Sequence, residues 1–137
     1  MFDTSPPTSL TFTQNRPRLL LIAIATAIVV LMFYLGAQPF AAGLFLSPWD
    51  KLAHFLTYGT LTALLRIGIG GEQPWLLVVF IGIIGSLDEW RQISIPGRAA
   101  ELADLVTDVI AAVVAIMACE WYAKCRKASL PAPDQSS

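Results

Sequence analysis

The single histidine of this chain, His54, stands four residues after Asp50 and four before Tyr58, so all three share one face of a helix. Further along, Asp88 and Glu89 precede Gln92 by four and three residues, and Glu101, Asp104 and Asp108 follow at i, i+3 and i+7. Lys51, Arg91 and Arg98 fall among them. A histidine near several carboxylates suits general acid–base chemistry. In that reading His54 is the base or acid, oriented by Asp50, and Glu89 or Asp104 is the second proton-transfer group. Asp50, Lys51, Arg91, Gln92, Arg98 and Asp108 are candidate substrate-binding residues, the arginines being suited to a phosphate or another anionic headgroup. His54 with Asp50, Glu89, Asp104 and Asp108 also offers mixed nitrogen and oxygen donors. No HxxxH or HExxH spacing accompanies them, so no metal ligand is assigned and no cofactor is expected.

Plainer roles compete for several of these positions. Asp50 and Glu101 stand where helices begin and suit caps or dipole partners. Lys51 can snorkel, Arg91 and Arg98 can anchor at an interface, and Tyr58 reads as core packing. Glu89, Asp104 and Asp108 are hardest to explain this way. Asp108 lies roughly 15 Å into its helix at 1.5 Å per residue. A carboxylate at bilayer depth costs about 2.5–3.5 kcal/mol, so it must face a polar interior, pair or be protonated.

The elements that position these residues are apolar. Of 137 residues 55% are hydrophobic and 14% charged, with mean hydropathy +0.63; a soluble domain carries about 25% charged residues. Four apolar stretches, at about 19–37, 50–67, 74–93 and 99–122, predict an all-α membrane protein, a bundle of four transmembrane helices. The first is expected to be a retained signal-anchor, since its apolar run is long and no clear A-x-A site follows. Ser47 and Pro48 are expected to open the second helix as N-cap and first residue, with Asp50 completing a capping box. Gly68, Gly70, Gly71 and Pro74 break the chain before the third, and Pro96 and Gly97 before the fourth. Residues 1–15 and 128–137 read as mobile tails around a 16–127 transmembrane domain. Cys119 and Cys125 read as reduced and structural. The net charge of −1 gives no reason to expect nucleic acid.

Lysine and arginine set the expected orientation. With the N-terminus inside, Arg16, Arg18, Arg66, Lys124, Arg126 and Lys127 are cytoplasmic and Lys51, Arg91 and Arg98 are outside, so both termini are expected in the cytoplasm. Six of the ten acidic residues then lie in one layer at the outer ends of helices two, three and four.

The run Asp50-Lys51-Leu52-Ala53-His54, then Glu89 with Gln92, then Pro96-Gly97-Arg98, then Asp104 with Asp108, resembles the VanZ-like family of bacterial membrane proteins, over about residues 45–118. The family commonly has Asn where this chain has Asp108 and Gly where it has Ala111. The resemblance implies a multi-pass protein of the bacterial plasma membrane, working at the cell envelope and linked to teicoplanin-type glycopeptide resistance. The expected function is to modify or bind an envelope lipid or a lipid-linked glycan precursor. The alternatives are a non-catalytic protein whose polar network is structural or sequesters a ligand, and, with less support, ion or proton translocation. The bilayer is the expected partner, with homo-oligomerisation through the first helix open.

Overall fold

An apolar chain that cannot give its backbone polar groups to water satisfies them within itself, and a helix does so residue by residue. A computed structural model describes the backbone of residues 10–38, 40, 48–96 and 100–129, and the side chains from residue 15 on. It contains four helices: α1 (Leu10–Gly36), α2 (Trp49–Ile69), α3 (Trp75–Ile93) and α4 (Leu102–Ala128). Three of them, α1 from residue 15, α2 and α4, are long and apolar enough to cross a membrane. α3 is not among these three, because Asp88, Glu89 and Arg91 stand inside its 19 residues.

The helix bounds differ from expectation at three places. α4 runs Leu102–Ala128 instead of about 99–122, so Ala128 is helical instead of tail. α1 begins at Leu10, so residues 10–15 are helical instead of tail; residues 1–9 lie outside the described residues. The apolar run that marked its start at 19 begins after Pro17, yet the helix continues through that proline. Pro48 is the N-cap of α2 and not its first residue; no side chain caps the helix, and Ser47 lies outside the described residues. Gly70 and Gly71 both take positive φ (65° and 134°). That conformation is open to glycine at little cost, and it reverses the chain between α2 and α3.

Packing is organised on a parallel pair. Near their N-termini α2 and α4 are joined by His54 and Asp108, and near their C-termini by Arg66 and Glu120. Between these ties lies a core of Tyr58, Leu61, Thr62, Leu65, Ala111 and Ala112, all buried. The alanines are small enough for the backbones to come close, as helices in an apolar medium need. α1 packs antiparallel on α2: Gly68 sits against Ile22, Leu21 and the carbonyl of Arg18. α3 packs antiparallel on α4, with Gly85 facing Asp108 and Leu105. The outward surface stays apolar, including Leu19, Val30, Ile83, Val114 and Met117. All four tryptophans, Trp49, Trp75, Trp90 and Trp121, are exposed near helix ends.

Candidate functional site

The N-terminus of α2, the C-terminus of α3 and the N-terminus of α4 meet at one end of the molecule. There the expected polar residues converge, and they sort into two groups.

The outer group is built on Lys51. Its Nζ donates to Glu101 Oε2 at 2.8 Å and to Asp104 Oδ1 at 3.0 Å, and lies 3.4 Å from Asp50 Oδ2. Three carboxylates from two helices thus share one ammonium. Glu101 is the N-cap of α4 with an extended backbone, yet its side chain caps nothing and reaches Lys51. Asp50, in the first turn of α2, likewise turns its carboxylate to Lys51.

The inner group is buried. His54 Nδ1 lies 2.9 Å from Asp108 Oδ1, and its Nε2 is 3.9 Å from Asp104 Oδ2. Asp108 is fully buried, and Asp88, Glu89, Gln92 and Asp104 nearly so. Gln92 Nε2 bridges Asp88 Oδ2 (3.3 Å) and Glu89 Oε1 (3.2 Å). The backbone N–H of Glu101 donates to Glu89 Oε2 at 2.7 Å, tying α3 to the start of α4. Arg91 pairs with Asp88, donates to the carbonyl of Phe33 on α1 and lies over the Phe33 ring, 5.1 Å from its centre. Tyr58 stacks on His54, the ring centroids 5.8 Å apart.

His54 is therefore oriented by Asp108, not by Asp50 as the i, i+4 spacing suggested. Asp50 is drawn to Lys51, whereas the parallel packing of α2 and α4 carries Asp108 across to the imidazole. An ionised Asp108 can only accept, which puts the imidazole proton on Nδ1 and leaves Nε2 with a free lone pair. The arrangement can take a proton at Nε2 while Asp108 stabilises the imidazolium that results.

Of the expected site residues, Asp50, Lys51, His54, Glu89, Arg91, Gln92, Asp104 and Asp108 all belong to this end, joined by Asp88, to which no site role is assigned from sequence, and Arg98 lies outside the described residues. Spacing did not reveal the Phe33 carbonyl, the close approach at Gly85 or the Arg66–Glu120 pair at the opposite end. Only the pair had a visible signal, two opposite charges each embedded in an apolar stretch. No family model, curated protein or solved structure matches the chain.

Proposed function

We propose that this chain is a VanZ-like integral protein of the bacterial plasma membrane, spanning it four times with both termini in the cytoplasm. At the outer leaflet it modifies an envelope lipid or lipid-linked glycan precursor and so influences glycopeptide sensitivity. One observation carries the reading: a buried histidine–carboxylate pair, His54 with Asp108, in a cluster flanked by the exposed Trp49 and Trp90. Tryptophans favour the headgroup level of a bilayer, where a lipid phosphate or pyrophosphate would meet the cluster. In this mechanism His54 Nε2 exchanges the proton, Glu89 or Asp104 is the second acid–base group, and Arg91 and Lys51 offset negative charge on the headgroup.

A second reading is favoured by the density of internal bonds. Lys51 fastens the starts of α2 and α4 together, and Gln92 bridges Asp88 and Glu89 within α3, as a structural or ligand-sequestering network does without chemistry. A deletion strain complemented with wild type, His54→Ala or Asp104→Asn separates the two. Under the enzymatic reading, mass spectrometry finds an envelope lipid whose mass shifts on deletion and returns only with wild type. Unchanged lipids, with glycopeptide sensitivity restored by both variants, would retire catalysis.

A further inference from the structure

Charge is balanced differently in the two polar groups. Asp50, Glu101 and Asp104 surround an ammonium that the chain itself supplies, Lys51. In the inner group, of Asp88, Glu89 and Asp108 only Asp88 pairs with a guanidinium among the described residues, that of Arg91, which also binds the Phe33 carbonyl. With these three ionised and His54 neutral, about two negative charges are left in excess among buried side chains, where uncompensated charge is costly.

One ring nitrogen of His54 and one oxygen each from Asp88 and Glu89 lie within 4.8 Å of one another. Donors about 2.1 Å from a common cation are separated by roughly 3.4 Å in a tetrahedral shell and 4.2 Å across an octahedral one, so small rotamer changes close the shell.

Two buried polar atoms on residues that contact His54 lack hydrogen-bond partners. Tyr58 is 1% exposed and its hydroxyl has no hydrogen bond. It stands one turn beyond His54 on α2, and its ring stacks on the imidazole. Asp108 Oδ2 is also buried and unpartnered. Its other oxygen receives His54 Nδ1, the bond that a metal-bound histidine makes through its second nitrogen.

We propose that His54, Asp88 and Glu89 bind one divalent transition-metal ion, with Asp108 orienting His54 and the Tyr58 hydroxyl completing the surroundings. A single imidazole among carboxylates suits Zn²⁺ or Mn²⁺ and disfavours Mg²⁺ and Ca²⁺, which take oxygen ligands. This deepens the proposed function of the same site and rests on reading it as functional; with the ion bound, His54 and Glu89 serve as ligands and Asp104 is left as the acid–base group. Its test follows metal and not lipid, so either idea can fail alone.

Full-length protein, purified in detergent without a histidine tag and stripped with chelator, is titrated calorimetrically with Zn²⁺, Mn²⁺ and Mg²⁺. One Zn²⁺ or Mn²⁺ per chain is expected, with Mg²⁺ at least about tenfold weaker. His54→Gln and Glu89→Gln each lower the affinity tenfold or more, while Glu101→Gln, in the Lys51 group, leaves it unchanged. Pulsed electron paramagnetic resonance of bound Mn²⁺ in wild type shows coupling to an imidazole nitrogen, a readout independent of how the variants fold. No stoichiometric binding by wild type, bound Mn²⁺ without nitrogen coupling, or loss of binding in Glu101→Gln alone would overturn the proposal.

Discussion

A carboxylate with no solvent contact, in the first turns of an apolar helix, needs a partner for its charge, and His54 gives Asp108 one. The bond runs both ways, since the imidazole N–H also has no other acceptor. Asp108→Asn keeps an oxygen that can receive Nδ1–H. We predict that Asp108→Asn changes stability by less than about 1 kcal/mol and still complements the deletion strain. Asp108→Leu strands the imidazole N–H in a dry interior, a loss of about 1–3 kcal/mol. Thermal unfolding of the two variants in detergent checks this; equal stability would mean that the bond contributes little. Gly85 makes the site possible from the other side. A Cβ there would stand 2.7 Å from Asp108 Oδ2 and 3.1 Å from Leu105 Cδ1, so only glycine lets α3 lie this close to the pair.

Two cross-helix ties fix how α2 meets α4. His54 pairs with Asp108 and Arg66 with Glu120, each across a separation of 54 positions. The helices are thus parallel and in one register over twelve residues, about 18 Å of axis. α1 is set by shape. A Cβ on Gly68 would approach Ile22 Cγ1 to 2.9 Å and the Arg18 carbonyl to 3.2 Å, and a backbone carbonyl cannot swing aside. Gly68→Ala should therefore cost about 1–3 kcal/mol by overpacking. Gly82→Ala, whose Cβ meets only Val109 at 3.9 Å, should stay within about 1 kcal/mol of wild type. The two midpoints of thermal unfolding, measured side by side, decide it, and similar values would mean that α1 is loosely held. At this scale the sequence was informative about what exists and poor about what touches. Apolar runs broken by glycine and proline marked α2 and α3 nearly to their ends, while α4 runs on past its apolar stretch, through Lys124, Arg126 and Lys127, to Ala128. Charges inside those runs marked the polar layer, because an apolar helix carries such residues at a cost. Which carboxylate meets His54 depends on the α2–α4 register, a tertiary quantity with no local signal. Spacing along one helix therefore pointed to Asp50. The start of α1 was missed for a related reason: hydropathy marks where a helix becomes apolar, not where it begins.

Across the whole molecule the charges and the tryptophans divide between two ends. Trp49 and Trp90 flank the polar cluster, while Trp75 and Trp121 lie toward the other end, and all four are exposed. Along α3 the two levels are fifteen residues apart, about 22 Å, about 8 Å less than a hydrocarbon core about 30 Å thick, so the rings stand toward its two faces and not beyond them. At the cluster end Lys51 and Arg91 lie within helices and are held by carboxylates. At the other end Arg16, Arg18, Lys124, Arg126 and Lys127 are exposed, and among the described residues none makes an ion pair. Basic residues flanking membrane spans are retained in the cytoplasm, so that end should face inward and the cluster outward. We predict that green fluorescent protein fused to the C-terminus is bright and that alkaline phosphatase fused there is inactive. An active phosphatase would put the C-terminus outside and turn the cluster to the cytoplasm. His54 and its carboxylates would then meet inner-leaflet lipids or cytosolic precursors. The outer-leaflet chemistry would be lost, while the proposed metal site, which depends only on side-chain geometry, would stand.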